Sequence, residues 1–408
     1  MPKRVGHLYE KMCDKDLIRE AIKNGSKHKR KRHDVQRVLR DMDKFVDKVY
    51  NLVITGSYVP TVPKVRHIHD KSSGKERDIT VVPFYPDGIM HQLVVMAMEP
   101  VIMRGMYRWS CASIPGRGNA CARKYVRRAL DNDPRGTKYC AKMDIRHYYP
   151  NIDIDRLMAA LRRKIKDERF LAVVEAIVRS NPLPGLAIGF YVDQWLANYY
   201  LEPMDGMIAG LPGVKYYVRN MDDMVLLGPN KKKLHKAVRA IDKGLRSALG
   251  VYLKDDWQVF PVDARAVNFV GYRFYHSHTR LRSKAFLRFT RQCRKIGKIM
   301  AAGLLPSYHA ACGILSRAGS LKHCDCVQAR RLYFGPLDRH KIKNVVRGRA
   351  KNEPFAGDRP PGGHAAAGAG NHQPAGGAAG AARHRDGGRA AGGNGRKTQK
   401  RREGMVLT

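Results

Sequence analysis

Two adjacent carboxylates stand between two apolar runs near the middle of the chain. Residues 216–228 read Y-Y-V-R-N-M-D-D-M-V-L-L-G, with Asp222 and Asp223 at the centre. Aromatic and β-branched residues on both sides of a short polar centre predict a β-hairpin with the two acids at its tip. Carboxylates fixed between strands this apolar usually hold a cation, so the pattern indicates a metal site. An ordinary polar turn is the alternative.

A third acid ends an apolar stretch well upstream. Residues 138–153 read K-Y-C-A-K-M-D-I-R-H-Y-Y-P-N-I-D, a short strand that ends at Asp144 and is followed by two tyrosines and Pro150. The order strand–Asp–aromatics, and then strand–Asp-Asp–strand, resembles the palm of reverse transcriptases. The resemblance implies that Asp144, Asp222 and Asp223 are catalytic and hold two Mg²⁺ ions. Two such ions activate the attacking 3′-oxygen and stabilise the leaving pyrophosphate.

The charge of the chain points to a polyanionic partner. Its 408 residues include 77 Lys and Arg against 36 Asp and Glu, a net charge of +41. Nucleic acid is the first candidate for such a partner, and an anionic membrane surface is the competing one. No apolar run approaches the roughly 18 residues that span a bilayer, and the N-terminus lacks an apolar signal core. We therefore expect a cytoplasmic protein with no membrane partner.

The cysteines indicate neither a disulfide framework nor a zinc site. The eight cysteines are scattered along the chain, which fits a reducing compartment. Cys312, His323, Cys324 and Cys326 lie near one another in the sequence but lack the usual Cys-x-x-Cys spacing of zinc sites. Buried thiols are the favoured interpretation.

Periodicity and turn residues define the elements of the first third of the chain. The patterns predict, in order, a basic segment over 1–33, a helix over 34–52 capped by Asp34, a β-hairpin over 61–83 with Ser72, Ser73 and Gly74 at its turn, a helix over 87–106 that carries Gln92, and a basic helix over 121–130.

The region that holds the three acids is predicted to be one folding unit. From residue 138 the patterns predict a strand to Asp144, helices over 154–179 and 188–204, strands to Arg219 and over 224–227, a helix over 231–249, and strands over 257–262 and 267–275. This β-α-β-β-α-β order is the ferredoxin-like plan. Its sheet brings Asp144 beside the hairpin tip.

The resemblance to reverse transcriptases covers roughly residues 1–350 and implies an α+β fold. The implied architecture is a right-hand polymerase, with a basic N-terminal segment and fingers over 1–136, a ferredoxin-like palm over 137–276 that includes a helical finger insertion at about 154–180, and a basic helical thumb over 277–352. Residues 353–408 turn to Gly, Ala, Pro and Arg. Such a composition cannot bury a core, so we predict a disordered, cationic C-terminal tail.

The resemblance also implies roles for individual residues. Tyr149 would lie under the sugar of the incoming nucleotide, and Arg77 would contact its triphosphate, as a planar guanidinium can. The implied sites are nucleotide binding by Arg77, Tyr149, Ile188, Gly189 and Gln194, a primer grip at Phe269 and Gly271, and nucleic-acid contacts by Arg117, Arg123, Arg282 and Lys284. A surface Arg, a packing aromatic and an ordinary palm strand are the respective alternatives for Arg77, Tyr149 and Gly271.

One segment resembles a particular branch of the family. Residues 185–200 read G-L-A-I-G-F-Y-V-D-Q-W-L-A-N-Y-Y. Most reverse transcriptases have Gln just before the second Gly, where this chain has Ile188. The Ile-Gly…Gln pattern is similar to diversity-generating retroelements and related bacterial anti-phage groups. Two positions depart from the family: Asp193 replaces the usual Ser, and Asn220 replaces a Tyr that lies near the primer end.

We therefore predict an RNA-directed DNA polymerase that copies RNA into cDNA and is error-prone, as in diversity-generating retroelements. The predicted partners are template RNA, a primer or cDNA, dNTPs, and an accessory protein or structured RNA. Two alternatives stay open. One is a reverse transcriptase of anti-phage defence, and the other is a basic RNA-binding protein with an inactive palm. The presence of all three carboxylates argues against the second.

Overall fold

The computed structural model describes residues 4–70, 74–348 and 355–356. Up to residue 132 the chain is mainly helical, with one β-hairpin. Its elements are α1 (Leu8–Met12), α2 (Lys15–Ser26), α3 (His33–Arg40), α4 (Met42–Ile54), β1 (Lys64–Asp70), β2 (Lys75–Val81), a π-helical turn (Phe84–Gly88), α5 (Ile89–Met103) and α6 (Gly118–Asn132). The predicted hairpin is confirmed, because β1 and β2 pair antiparallel from Lys64–Val81 to Asp70–Lys75.

The middle of the chain forms a four-stranded antiparallel sheet with helices between its strands. Its elements are β3 (Tyr139–Asp144), α7 (Ile154–Arg162), α8 (Glu168–Arg179), α9 (Tyr191–Tyr200), α10 (Glu202–Gly210), β4 (Tyr216–Asn220), β5 (Asp223–Gly228), α11 (Lys231–Gly244), a π-helical turn (Leu245–Leu249) and β6 (Gln258–Pro261). The strand order is β4-β5-β3-β6. The first strand in sequence, β3, therefore lies between the third and the fourth, and its C-terminal end is next to the β4–β5 turn.

The last described part begins with a small sheet and continues as helices. Its elements are β7 (Val267–Phe269), β8 (Tyr272–Phe274), β9 (Thr279–Leu281), α12 (Ser283–Ala301), β10 (Leu305–Pro306), α13 (Tyr308–Ser320), a 3-10 turn (Leu321–His323), α14 (Val327–Phe334), α15 (Arg339–Arg347) and β11 (Phe355–Ala356). Strands β7, β8 and β9 form their own antiparallel sheet, and β10 pairs parallel with β11.

The two faces of the four-stranded sheet pack against different cores. Side chains alternate across a strand, so neighbouring residues of β5 enter opposite cores. Met224 and Leu226 belong to a hydrophobic cluster shared with the N-terminal helices, α5 and α9. Val225 and Leu227 belong to a second cluster shared with α6, the small sheet and the C-terminal helices. Both faces of β5 are therefore buried, which explains its nearly continuous apolar run.

Three predicted helices are each two helices in the structure. The spacing of apolar residues does not show where one helix ends and the next begins. The helix predicted over 34–52 is two helices, α3 and α4, separated at Asp41 (φ −113°, ψ 46°). Both helices bury apolar residues, so the apolar residues follow the spacing that one continuous helix would also have. The helix predicted over 154–179 is likewise divided into α7 and α8, and the one over 188–204 into α9 and α10.

Two further predictions are corrected at single residues. Asp34 does not cap its helix from outside, because the helix begins at His33. The Asp34 carboxylate instead accepts a hydrogen bond from the Val35 amide at 3.0 Å. The strand predicted over 267–275 is divided into β7 and β8, since Val270 and Gly271 both have positive φ and form a turn.

The mixture of helices and sheets agrees with the predicted α+β class. None of the helices in the described ranges combines the length and apolar character needed to cross a membrane. The predicted turn residues Ser72 and Ser73 lie outside the described residues. So does the predicted tail over 353–408, apart from β11.

Candidate active site

The three carboxylates that the sequence singles out lie at one end of the four-stranded sheet. Asp144 ends β3, Asp223 begins β5, and the antiparallel register sets them directly opposite each other. Met221 and Asp222 form the turn between β4 and β5, with Met221 in a left-handed conformation (φ 63°). The turn therefore places Asp222 next to the Asp144–Asp223 pair.

Burial and mutual repulsion make this cluster electrostatically unfavourable when it is fully ionised. Burial raises the pKa of Asp222 to about 6, and the nearby charge of Asp144 raises it as well. The pKa of Asp223 is also raised by burial, although the ammonium of Lys142 lowers it. Groups in this state favour a nearby positive charge. The cluster therefore has the electrostatic character of a cation site.

Two lysines supply part of that positive charge. Lys142 donates a hydrogen bond to Asp223, and Lys254 donates one to Asp144. Lys142 lies two residues before Asp144 on β3 and so points to the same face of the sheet. Both ammonium groups thus occupy carboxylate oxygens that a metal ion would use.

The chemistry of the donors fits Mg²⁺, which prefers carboxylate oxygens and substrate phosphates. Across the described ranges, however, no three His, Cys, Asp or Glu side chains are gathered as a ligand set for a metal ion. This applies equally to the Cys312–Cys326 region. Binding of a cation between Asp144, Asp222 and Asp223 would require Lys142 and Lys254 to release their carboxylates.

A buried polar network supports the turn that carries Asp222. The guanidinium of Arg219, on β4, forms two hydrogen bonds of 2.8 Å to the two carboxylate oxygens of Asp205 on α10. It also donates to the side-chain oxygen of Asn198 at 3.0 Å and to the Asn198 carbonyl at 2.9 Å. A longer contact of 3.5 Å reaches the carbonyl of Met221, the residue before Asp222. The network therefore connects the turn to α9 and α10.

Two main-chain hydrogen bonds hold the loop before α9. The Leu186 amide donates to the Tyr149 carbonyl at 2.9 Å, and the Ile188 carbonyl accepts from the Thr80 amide of β2, also at 2.9 Å. Gly189 has φ 132°, and a Cβ there would lie 2.2 Å from the Thr80 carbonyl. Glycine is therefore required where this loop approaches β2. Tyr149 therefore lies against the loop that contains Ile188.

Asp193 anchors the loop from inside. It is completely buried, and one of its oxygens accepts a hydrogen bond of 2.5 Å from the Ala187 amide. The other oxygen has no hydrogen-bond partner among the described residues. Burial raises the pKa of Asp193 well above its usual range. Burial thus disfavours the charged form of this carboxyl.

The remaining predicted nucleotide-binding residues, Arg77 and Gln194, lie on β2 and α9, on either side of this loop. Arg77 is an exposed residue of β2, opposite Ile68. Gln194 lies on α9 and is half-buried, and its carbonyl accepts a bond of 3.3 Å from the Asn198 side chain. The structure therefore sets Arg77 on the strand that contacts the Ile188–Gly189 loop.

The residues predicted to grip the primer lie beside the carboxylates and at the adjoining turn. Phe269 is fully buried on β7, and the Lys142 ammonium lies 5.4 Å from the centre of its ring. Gly271 has φ 92°, and a Cβ there would meet no atom within 4 Å. The Gly271 carbonyl accepts a bond of 3.1 Å from the Arg282 amide. Phe269 therefore has a packing role, and Gly271 faces open space.

The predicted nucleic-acid residues differ in their contacts with the protein. The guanidinium of Arg117 is bound to the carbonyls of Tyr107 and Ser110, at 2.7 and 3.0 Å. Arg123 lies on α6, 6.0 Å from the ring of Tyr272. Two more, Arg282 and Lys284, are exposed at the start of α12. Arg117 thus stabilises the loop before α6, and its contact with nucleic acid stays a prediction.

Five site residues were missed by sequence reasoning: Lys142, Lys254, Asn198, Asp205 and Arg219. Lys142 left a usable signal, because it shares a face of its strand with Asp144, and Arg219 left one as a lone charge in an apolar strand. The Arg219–Asp205 pair joins a strand to a helix, and no local pattern links the two.

No family model matches the chain, and the curated relatives are distant. Protein YkfC of Escherichia coli is 26% identical over 164 residues, which is 38% of this chain and 42% of that protein. Group II intron-encoded protein LtrA of Lactococcus lactis is 22% identical over 214 residues, 50% of this chain and 34% of that protein. The chain thus spans less than half the length of the relatives that it matches.

Solved structures with similar folds include apo telomerase from Candida tropicalis. Its TM-score is 0.42 at 14% identity, over 56% of this chain and 48% of the telomerase chain. Telomerase from Candida albicans, bound to a fragment of telomeric RNA, has a TM-score of 0.41 at 14% identity, over 54% and 46% of the two chains. At these scores the likenesses carry no argument about this chain. One of the distant sequence relatives is a group II intron-encoded protein, and at these identities the relatives leave the family and its branch open.

Proposed function

We propose that this protein is an RNA-directed DNA polymerase whose catalytic carboxylates are Asp144, Asp222 and Asp223. The observation that carries the proposal is the register that sets Asp144 opposite Asp223 and beside the Asp222 turn. Lys142 and Lys254 pair with two of the three acids, and an electrostatic cost remains at Asp222. A phosphoryl-transfer site explains it, because cations and phosphates meet there.

In this proposal the sheet is the palm of a right-hand polymerase. The hairpin β1–β2 and the helices before α6 are the fingers, and the helices from α12 onward are the thumb. The contact between the Ile188–Gly189 loop and Thr80 supports this division, since it joins the fingers hairpin to the edge of the palm. If the β1–β2 hairpin closes over a bound nucleotide, it would also move the Ile188–Gly189 loop, which lies next to the base of that nucleotide.

The residues would divide the work of nucleotide transfer. Asp144, Asp222 and Asp223 would hold two Mg²⁺ ions, which supply activation of the 3′-oxygen and stabilisation of pyrophosphate. Tyr149 and Ile188 would position the sugar and base of a dNTP. Arg219 and Asp205 would keep the Asp222 turn in place through the buried network. Lys142 and Lys254 would release the carboxylates as the cations bind.

Template RNA, a primer and dNTPs are the proposed partners. The net charge of +41 supports a nucleic-acid ligand. Because neutralised phosphates release counterions, RNA affinity should fall steeply between roughly 50 and 300 mM salt. A flat dependence of log K on log salt would contradict electrostatic recognition of RNA.

Primer extension tests the enzyme directly. The assay uses a defined RNA template, an annealed DNA primer and dNTPs, with Mg²⁺ or with a chelator. We expect Mg²⁺-dependent extension by the parent and a loss of at least about a hundredfold in Asp222→Asn, since transition-state charge stabilisation is removed. Asp255→Asn is the matched control, because Asp255 is 85% exposed.

RNA affinity, measured on the same proteins, distinguishes a polymerase from a protein that only binds RNA. The substitution at Asp222 should leave RNA affinity within about twofold of the parent. If the parent binds RNA but never extends a primer, the chain is a basic RNA-binding protein with an inactive palm. Residual extension by Asp222→Asn within tenfold of the parent would overturn the assignment of the carboxylates.

The branch is proposed as that of diversity-generating retroelements, with anti-phage defence as the alternative. The observation that favours an unusual base-selection site is the apolar Ile188 at the nucleotide loop, together with the buried Asp193 that anchors it. Sequencing of cDNA made from one defined RNA decides between them. A high error rate opposite template adenines supports the first branch, and ordinary fidelity supports the second.

A further inference from the structure

A cavity of about 420 Å³ lies between α6, the segment before it and the start of β4. Three aromatic side chains line it: Trp109, Tyr125 and Tyr216. The rings of Trp109 and Tyr125 are 4.0 Å apart between centroids, at an angle of 35°. Tyr216 meets Tyr125 edge to face at 6.2 Å. All three are half-buried, and the Arg108 guanidinium lies 5.0 Å from the centre of the Trp109 ring, so a base stacked on that side of Trp109 would take its place.

The rim of the cavity carries cations that have no acidic partner. Lys124 and Arg128 line it from α6, both are exposed, and neither forms a hydrogen bond or ion pair with a described residue. The neighbouring Arg127 contrasts with them, because it pairs with Asp131 at 2.5 Å. Two unpaired cations beside an aromatic wall are the usual means of holding a phosphate next to a stacked base.

Asn132 completes the lining at the end of α6. Its side-chain amide makes no hydrogen bond to any described residue, and it offers both a donor and an acceptor. Such an amide can bind the edge of a base whose face is stacked on an aromatic ring. The cavity thus combines a stacking surface, an edge contact and a phosphate contact, within the roughly 300–1,000 Å³ typical of ligand sites.

We propose that this cavity binds one unpaired nucleotide of an RNA strand. A base inside a duplex cannot present its face to Trp109, so the site selects single-stranded or looped RNA. Tyr216 and Asp222 are six positions apart along β4 and its turn, which at ~3.3 Å per residue sets the cavity at most roughly 20 Å from the carboxylates. The site is therefore an anchor for RNA outside the place of nucleotide transfer.

The choice of RNA over a free nucleotide rests on the proposed function, whereas the recognition of a base with its phosphate does not. Tyr216 lies on the same face of β4 as Val218 and Asn220, and Asn220 pairs with Asp223. Between them Val218 is buried in the second core, so an RNA held at Tyr216 would pass outside the sheet to reach the end of the strands that carries Asp144 and Asp223. Such an anchor fixes the position of a template or of a structured RNA relative to the carboxylates.

Binding measurements on the full chain, without Mg²⁺ or dNTPs, test the proposal. The probes are a single-stranded RNA of about twelve nucleotides, the same RNA in a duplex, and ribonucleoside 5′-monophosphates. Trp195 is fully buried and Trp257 is removed by Trp257→Phe, so Trp109 reports on the cavity. We expect the single strand to quench Trp109 fluorescence more strongly than the duplex does.

Substitutions then link the quenching to affinity. Trp109→Ala should weaken single-strand binding about five- to a hundredfold and change duplex binding little, because stacking of one base is lost. Arg128→Gln should also weaken it, whereas Arg135→Gln, which removes an exposed charge outside the cavity, is the matched control. If Trp109→Ala does not fold, the exposed pair Lys124→Gln and Arg128→Gln provides the test without changing the walls.

Three outcomes would overturn the proposal. Single-strand affinity of the Trp109 and Arg128 variants within twofold of the parent would exclude an RNA anchor. Equal quenching by duplex and single strand would exclude selection of an unpaired base. Quenching by monophosphates, with unchanged RNA affinity in the variants, would identify a free-nucleotide site. Asp222→Asn should bind RNA like the parent, so a failure of the polymerase proposal stays distinguishable from a failure of this one.

Discussion

The guanidinium of Arg219 forms a bidentate ion pair with Asp205, 2.8 Å from each carboxylate oxygen, out of contact with solvent. Arg219 is three residues before Asp222, and its partner lies on α10. Tyr217 adds a hydrogen bond of 2.8 Å to the same Asp205 carboxylate. Because every polar group of the pair is bound, the interior tolerates two charges at this point. The turn with the candidate catalytic acids is thus built on a buried charge pair.

Removing one partner of this pair should be strongly destabilising. We expect Arg219→Met to lower the free energy of unfolding by about 3–5 kcal/mol, because Asp205 would be left buried and uncompensated. Arg246→Met is the control. It breaks an exposed pair with Asp242 four residues away, which is worth about 0.3–0.5 kcal/mol. Denaturant unfolding of the three proteins measures both effects, and equal losses would contradict a special role for the buried pair.

The pH dependence of stability should report the strain among the carboxylates. The pKa of Asp222 is about 6 in the folded chain, above its ordinary value of 3.8, so the folded state holds this proton more tightly than the unfolded state. Its contribution is therefore favourable at low pH and is lost as pH rises from about 4 through 6, by roughly 2–3 kcal/mol at most. Asp222→Asn cannot ionise and avoids this loss.

Unfolding in the presence of a chelator, at about pH 4 and pH 8, measures the difference. We expect Asp222→Asn to be more stable than the parent at the higher pH and nearly equal to it at the lower one. Added Mg²⁺ should stabilise the parent at the higher pH and the variant much less, since binding to the folded state raises stability. A variant that is less stable than the parent at both pH values would show that the Asp222 carboxylate is not strained.

Discrimination between sugars should depend on Tyr149. Its ring is half-buried beside the loop that carries Ile188, and its carbonyl is fixed by the Leu186 amide. An aromatic under the sugar would clash with a ribose 2′-hydroxyl. Tyr149→Ala should therefore raise ribonucleotide incorporation about ten- to a hundredfold, in line with other steric pockets. Single-nucleotide extension with matched rNTP and dNTP measures the ratio.

Tyr148→Phe is the control for that substitution. The Tyr148 ring is buried, and its hydroxyl donates to the Ala197 carbonyl at 2.5 Å, so it faces the protein interior. Loss of this hydroxyl should lower stability and leave sugar selection unchanged. Unchanged selection in Tyr149→Ala as well would reduce Tyr149 to a packing aromatic.

The sequence predicted the location of the three acids because their signals are local. Alternation along β3 and β5 and the order of the elements are enough to bring Asp144 to Asp223. The buried network could not be predicted in the same way, because Arg219 interrupts an apolar strand and its partner Asp205 lies on a helix. A lone Arg in such a strand indicates that a partner exists, but only the packing of α10 identifies it.

The points at which helices and strands are interrupted were missed for a different reason. The stripe over 34–52 continues across Asp41 because α3 and α4 bury their apolar faces in the same core. The interruption at Val270 and Gly271 was likewise hidden, since Gly in a strand pattern also fits a close approach to a ligand. Periodicity reports which residues are buried, whereas the backbone angles at one or two positions decide where an element ends.

Base selection should be relaxed by the apolar side chain at Ile188. The loop around it is fixed by the Thr80 amide at the Ile188 carbonyl and by Asp193 at Ala187, so a substitution changes the side chain and leaves the anchoring intact. Ile offers no hydrogen bond to a nascent base pair, whereas Gln offers both a donor and an acceptor. The parent should therefore misincorporate frequently, chiefly opposite template adenine, as in the diversity-generating enzymes that this segment resembles.

Ile188→Gln should reduce those errors about two- to tenfold. One hydrogen bond contributes a net ~0.5–1.5 kcal/mol, and about 1.4 kcal/mol corresponds to a factor of ten in selection. Ile188→Leu is the control, because it keeps an apolar side chain of the same size and should keep the parental error rate. Sequencing cDNA copied from one defined RNA gives all three rates. Low and equal error rates in the three proteins would mean that Ile188 only fills space beside Tyr149, and would favour the defence alternative for this polymerase.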